Sequence, residues 1–366
     1  SPKPDAEVDG PIQMTALRAA FLEQARHCAG LDSPFMARLM TLAATHWPLD
    51  DRVAGQFADW EGEIGPKGAS LPLRWAGALH ALVLSGRAPG LAAVYPPQTC
   101  TDAALLGAIR SAMEQEAAFV GAWVQSAPQT NELRRAATLL PVAAWLAHRF
   151  PDAPLILSEL GASGGLNLLF DRFALDVAGV TLGAVNSRLR LAPEWRGDAP
   201  IVAPITVVER CGVDINPLDP RSEGDALRLL AYLWPDQPDR MRRTKAAIAL
   251  AHETAPQVAA ADAALWLKAR LGAEMHPQAP VIHLVYHTIA WQYFPAQSQA
   301  QAREALEAAG ARATQDRPLA WFGMEADSNS PGAAMTLRLW PGDHRFDLRR
   351  ADFHGRWVDW RTPKPM

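Results

Sequence analysis

The sequence predicts an α/β fold in which a helical N-terminal region precedes a mainly parallel sheet. Three observations predict it. Residues 12–150 carry apolar stripes at helical spacing, punctuated by proline and glycine. After Pro151, short apolar runs alternate with helical patterns, the texture of parallel strands joined by helices. The first of those runs, Leu155 to Leu157, breaks into the small residues Gly161 to Gly165 and resumes with Leu166, Leu169 and Phe173 on one helical face. That stretch reads as strand, tight turn, helix.

At 366 residues, 49% hydrophobic and 20% charged, the chain has room for two domains. The expected organisation is a flexible lead-in at residues 1–11, a helical domain at 12–150, and an α/β domain at 151–366 with an insertion at about 174–204. The lead-in lacks the charged and apolar pattern of a signal peptide. A formal net charge of −4 excludes a general attraction for nucleic acid or an anionic membrane. Cys28, Cys100 and Cys211 are widely spaced and odd in number, which suggests neither a zinc set nor a disulfide framework. A reducing, cytoplasmic setting is expected, and no metal cluster is visible.

In the helical region Leu17, Phe21 and Leu22 begin one stripe, Phe35, Leu39 and Met40 a second, and Leu73, Ala76 and His80 a third. Thr101 and Asp102 cap a long helix expected to run through Met113, Phe119 and Val124. The polar residues Gln129, Asn131, Glu132 and Arg134 then read either as a capped helix start or as a substrate lid. In the insertion, 180–182 and 189–191 are the expected hairpin strands, and 193–197 a turn-rich tip.

The α/β region places carboxylates at successive strand ends. Glu159 ends the first strand, Asp214 the second and Asp262 a shorter third, with Ala263 opening the next helix. A helix start after a small-residue turn presents unpaired N–H groups and a positive dipole end, so Gly161, Ala162, Ser163, Gly165 and Asn167 form a candidate ligand cradle. The serine fits such a turn with a negative φ. Tyr286, His287 and Glu325 stand at the ends of two later strands, where side chains of open α/β sheets face the ligand crevice. His283 is expected to be an internal histidine with a local partner. The segments AMTLRLWPG and FDLRRADFHGRWVDW close the sheet with antiparallel strands.

The pattern Glu159-x-Gly161-x-Ser163-x-Gly165 resembles the first motif of class I S-adenosylmethionine (SAM) methyltransferases, with Ser163 in place of a glycine. That resemblance implies a Rossmann-like seven-stranded sheet with SAM at its centre. Asp214 would then face the ribose and Asp262 the adenine amino group. The expected activity is methyl transfer to an oxygen or nitrogen of a small-molecule acceptor, with His287 as base, and Glu325 and Tyr286 positioning it or the substrate. Gln129, Asn131, Glu132 and Arg134 would line the acceptor side.

Two other readings stay open. Gly161-Ala162-Ser163-Gly164-Gly165 also satisfies G-x-S-x-G, the nucleophile elbow of serine hydrolases, with Asp214 or Asp262 as acid and His354 as base. A non-catalytic, methyltransferase-like binding protein is the other. Over the whole chain the segments 129–132, 159–163, 234–237 and 354–357 resemble a bacterial family of unknown function, numbered 2332. That resemblance implies a shared fold and no particular reaction. It leaves the acceptor and the oligomeric state open.

Overall fold

A computed structural model describes residues 10–273 and 278–364. Most of the expected lead-in, residues 1–9, lies outside the described residues. Two compact units form. One comprises residues 1–130 and 223–242, the other 131–222 and 243–366. Residues 131–150, expected with the helical region, therefore group with the sheet. Residues 223–242, expected within the α/β region, group with the helices.

The helical unit begins with α1 (Gly10–Gly30), α2 (Pro34–His46), α3 (Asp51–Ala58), α4 (Leu71–Leu84), α5 (Pro89–Ala92), α6 (Asp102–Gln115) and α7 (Ala117–Trp123). The expected long helix after Thr101 breaks at Glu116, where φ is −116° and ψ 30°. Leu17, Phe21, Leu39, Met40 and Ala76 are buried in one core with Trp47, Trp75 and Tyr95. Before α8 (Ala136–Arg149) the chain enters the sheet unit. It returns with α9 (Glu223–Ala231) and the first turns of α10 (Pro238–Glu253).

The 234–237 turn ties that returning segment in. Asp236 accepts from the Ser33 hydroxyl at 2.6 Å and from the Phe35 backbone N–H at 3.0 Å, while the Gln237 amide donates to Leu31 O at 3.0 Å. Ser33 itself caps α2 by accepting from the Met36 N–H. One carboxylate thus completes the start of a helix two hundred residues earlier, satisfying the Phe35 N–H that the helix leaves unpaired and fixing the capping hydroxyl.

In the sheet unit the strands in chain order are β1 (Leu155–Leu160), β2 (Ala174–Val177), β3 (Val180–Gly183), β4 (Arg190–Leu191), β5 (Glu194–Gly197), β6 (Val207–Asp214), β7 (Gln257–Ala260), β8 (Ile282–Thr288), β9 (Leu319–Glu325), β10 (Ala333–Trp340), β11 (His344–Ala351) and β12 (Trp357–Trp360). The helices α11 (Ala263–Gly272) and α12 (Ala296–Arg312) connect the parallel strands. Among the described residues, one mostly parallel sheet runs β5-β12-β11-β10-β9-β8-β1-β6-β7. Its parallel part starts with β1 in the middle, adds β6 and β7 on one side, then crosses to add β8 and β9 on the other. The order reverses between β1 and β8, the kind of switch point at whose carboxyl edge open α/β sheets bind ligands.

The expected closing antiparallel strands form, with β10 between β9 and β11 and β12 beside β11. The rest of the sheet departs from expectation, since among the described residues it has nine strands rather than seven. The expected 180–182/189–191 hairpin does not form, because β3 and β4 each pair with β2 instead. The supposed tip at 193–197 contains β5, which joins the sheet edge beside β12. Its Glu-Trp-Arg run supplies a strand that the flanking Pro193 and Gly197 disguised.

The Asp236 contacts yield a test. Replacing Asp236 by alanine should lower unfolding free energy by roughly 1.5–3 kcal/mol, the worth of hydrogen bonds to a charged group. Chemical denaturation checks this, and a loss below half a unit would mean that the cap is made by solvent instead.

Candidate functional site

Strand β1 is buried throughout, including Glu159 near its carboxyl end. Directly after it, the N–H groups of Gly161 and Ala162 both donate to Val213 O, at 2.9 and 3.0 Å, which folds the turn onto the end of β6. Asp214, at that end, accepts from the Ser163 N–H at 2.9 Å and from the Asn216 N–H at 2.9 Å. Gly161 (φ 70°) and Gly165 (φ 73°) adopt left-handed backbone. An added Cβ would meet Ala290 Cβ at 2.5 Å or Val258 Cγ2 at 2.7 Å. Both glycines are therefore required by protein packing as well as by conformation.

Ser163 differs from expectation. Its φ is +52°, a conformation that costs a non-glycine residue roughly 1–2 kcal/mol. Ile289, next to the Ala290 that packs on Gly161, follows β8 with φ +47°, an outlier for a β-branched residue. Strain of this kind concentrates at functional sites. The expected α-helix after the turn is a 3-10 segment, Leu166–Arg172.

Three buried polar atoms here lack a hydrogen-bond partner: Glu159 Oε1, Ser163 Oγ and Asn167 Oδ1, on residues 3%, 8% and 2% exposed. Two of them, on Glu159 and Asn167, share Tyr286 as a neighbour. The Asn167 amide donates to Glu132 O at 3.1 Å, and Asn167 O accepts from the Tyr286 hydroxyl at 3.0 Å. Tyr286 stands opposite Glu159 in the sheet register. Burial, reinforced by Asp214, holds the Glu159 pKa well above its usual range, with Arg135 acting the other way. Burial and Glu159 likewise push the Tyr286 hydroxyl up.

Of the expected acceptor-side residues, Asn131, Glu132 and Arg134 belong to this unit. Asn131 Oδ1 accepts from the Leu166 N–H at 3.1 Å, and Glu132 Oε1 accepts from Arg134 N at 3.2 Å and Nε at 3.4 Å. Gln129 belongs to the helical unit. The 352–356 turn packs against the same segment. Arg135 Nε donates to Phe353 O at 2.8 Å, and a Cβ on Gly355 would approach the Arg134 carbonyl within 2.5 Å.

The expected catalytic group is arranged differently. His287 Nδ1 lies 2.8 Å from Glu325 Oε2, and its Nε2 accepts from Trp321 Nε1–H at 2.9 Å. Because an indole N–H can only donate, Nε2 is the acceptor and the ring proton sits on Nδ1. The lone pair a general base needs is thereby occupied, and the ring stacks on Trp291 at 4.9 Å. Glu325 also accepts from the Ala290 N–H at 2.9 Å, so it braces the loop that covers Gly161. Tyr286 is enclosed, with Phe170 edge-on at 5.9 Å, and offers no ring face to a ligand. All three side chains are engaged within the protein: Tyr286 is enclosed, aromatic packing closes over His287, and Glu325 holds both the His287 ring and the Ala290 N–H.

Asp262 accepts from the Ser298 hydroxyl at 2.7 Å, which chiefly lowers its pKa, and caps α11 by accepting from the Leu265 N–H at 3.0 Å, which lowers it further. Ala263 is buried at the start of that helix. Two residues beside these carboxylates escaped sequence reasoning. Ile215 follows Asp214 and is 67% exposed, and Leu265 lies in the first turn of α11 and is 66% exposed. An aliphatic residue inside the turn-forming stretch Asp214-Ile215-Asn216-Pro217 was the available signal.

For a serine hydrolase, Ser163 Oγ would have to be held by histidine. It has no hydrogen-bond partner, and the acid Asp214 holds the Ser163 backbone instead. Among the described residues, no group of three or more histidine, cysteine or carboxylate side chains is disposed to hold a metal ion, and no helix is long and apolar enough to cross a membrane.

Comparison with known families matched residues 18–360 to a bacterial family, "Uncharacterized protein conserved in bacteria (DUF2332)". The chain belongs to this family. No curated protein and no solved structure matched it. Of the four segments that carried the resemblance to DUF2332, 159–163 and 354–357 lie in the sheet unit, 234–237 in the helical unit, and 129–132 spans the division.

Two measurements probe the turn of this DUF2332 protein. Ser163→Gly removes left-handed strain without losing a hydrogen bond, so it should raise stability by about 1 kcal/mol after the glycine entropy is counted. A destabilised variant would show that the serine hydroxyl is satisfied in solution. Glu159 gives a pH signature. Below its ordinary pKa of 4.5 the carboxyl is neutral folded and unfolded. As pH rises the unfolded chain ionises first, so the folded state loses relative stability through the raised folded pKa. Glu159→Gln should therefore match the parent in acid and exceed its Tm at neutral pH. Parallel Tm curves across that range would contradict a protonated Glu159.

Proposed function

We propose that this chain binds SAM in the crevice beyond β1, β6 and β7 and transfers its methyl group to an oxygen or nitrogen of a small-molecule acceptor. The observation that carries the reading is the row of carboxylates Glu159, Asp214 and Asp262 at the ends of three adjacent strands, with exposed Ile215 and Leu265 beside the last two. The parallel strand order around β1 supports a Rossmann-like, methyltransferase-type core, to which the antiparallel strands are additions.

The residues present fit the group in three respects. Ile215 and Leu265 offer aliphatic faces for a planar base. Asp214 retains lone pairs for ribose hydroxyls, since each of its oxygens accepts one N–H. The orphaned oxygens of Glu159 and Asn167 call for donors, which an ammonium group provides. When bound, SAM supplies an electrophilic methyl on a sulfonium. The chain's own part is alignment, with the braced 289–290 loop and the 131–134 segment fixing where an acceptor lies. Asn131, Glu132 and Arg134 would form its edge. With His287 committed to Trp321 and Glu325, a ligand-binding protein without turnover is the second reading.

Calorimetry with SAM and its demethylated product tests the assignment. Binding of either is expected, and folded protein that gives no heat at millimolar concentration would overturn it. Ile215→Ser should weaken binding by roughly 1–2 kcal/mol, the value of apolar area buried on a ligand, with Tm unchanged because Ile215 is exposed. Unaltered affinity would move the base elsewhere. Methyl transfer in a screen of amines, carboxylates and phenols then separates enzyme from binder.

A further inference from the structure

A cavity of about 380 Å³ opens at the amino-terminal edge of the sheet, the end of β1 opposite Glu159. Its floor is one row of the register. Ile156 pairs with His283, and His283 with Leu319, so three adjacent parallel strands present the same face there. Leu271, at the end of α11, adds an apolar wall, and Arg312 and Arg317 contribute guanidinium groups. Among the described residues Arg312 has no carboxylate partner. It donates only to Ala308 O, in its own helix, at 3.2 Å.

His283 adds a donor of defined orientation. Arg270 Nε donates to Ser158 Oγ at 2.5 Å, which turns the serine hydrogen toward His283 Nε2, 2.6 Å away. Nε2 accepts, so the ring proton sits on Nδ1, on the part of the ring not committed to Ser158. Burial and the Arg270 charge hold the His283 pKa down to about 3, which keeps the ring neutral. Nothing in the strand-end crevice uses this network.

We propose that this cavity is a second ligand site, which takes a carboxylate carried on a short apolar body. The carboxylate is held by Arg312 and the His283 N–H, and the body lies on Ile156, Leu271 and Leu319. The volume falls within the range of small-molecule cavities, whose walls are mainly apolar with a few convergent polar groups. A guanidinium fork matches a carboxylate in shape as well as charge. An anion without an apolar body would leave the floor wet. A neutral apolar molecule would strip water from Arg312 and His283 without replacing their acceptors.

Calorimetry with hexanoate, hexanamide and inorganic phosphate tests this on the parent protein, on Arg312→Gln and on Ala309→Phe, which fills the cavity from its α12 wall. Hexanoate should bind the parent at least about tenfold more tightly than hexanamide or phosphate, as loss of one charge-assisted hydrogen bond implies. Arg312→Gln should cost a similar factor, and Ala309→Phe should abolish binding while Tm shows a folded protein. The proposal is overturned by no heat with hexanoate at millimolar concentration, by equal affinity for hexanamide or phosphate, or by unchanged affinity in both variants. Should Ala309→Phe fail to fold, Arg312→Gln and the ligand series still decide. The outcome is independent of SAM binding at the other edge.

Discussion

The close approach of the turn after β1 to the end of β6 is the constraint on which the rest of the site depends. Gly161 and Ala162 both donate to Val213 O, and Asp214 takes the Ser163 N–H. Gly212 makes this contact sterically feasible, because a Cβ there would sit 2.7 Å from Ala162 Cβ. In the turn held this way Ser163 has a positive φ, and Glu159 beside it is buried with one oxygen unpartnered.

Electrostatics follow from that geometry. Glu159 is enclosed, and burial together with the nearby Asp214 charge raises its pKa, while Arg135 offers partial compensation from the start of α8. Asp262 and Asp214 are solvent-accessible and spend their oxygens on backbone and hydroxyl donors. A strand-end carboxylate is thus buried with an unpartnered oxygen at β1, a partly exposed acceptor of turn N–H groups at β6, and a helix cap after β7. A ligand that brings donors would relieve the first without disturbing the others.

The loop after β8 shows how much of the surroundings is built for rigidity. Glu325 receives the Ala290 N–H, and His287 is fixed between Glu325, Trp321 and Trp291. This locks Ala290 over Gly161. A histidine that donates from one nitrogen and accepts at the other has a set tautomer and orientation, which suits bracing better than proton transfer. The helical unit uses the same economy, with Asp236 holding the start of α2 through two hydrogen bonds.

By itself, the sequence determined what depends on local pattern. Helical spacing identified the buried stripes around Phe21, Leu39 and Ala76, and apolar runs with small-residue breaks identified β1, β6, β8 and β9 and the turn at Gly161 to Gly165. The carboxylates Glu159, Asp214 and Asp262 could be put at strand ends for the same reason, whereas His283, expected to have a local partner, meets Ser158 of the neighbouring strand, 125 residues away in sequence. What only the tertiary structure decided depends on non-local pairing. Strands β3 and β4 choose β2 over each other, β5 crosses to β12, and residues 223–242 join the helices through Asp236, because these partners are distant in sequence and leave no periodic trace. The roles of Tyr286 and His287 were likewise hidden. A strand end shows which residues stand near a crevice, but register and aromatic neighbours decide that one side chain is enclosed and that the other has both nitrogens engaged.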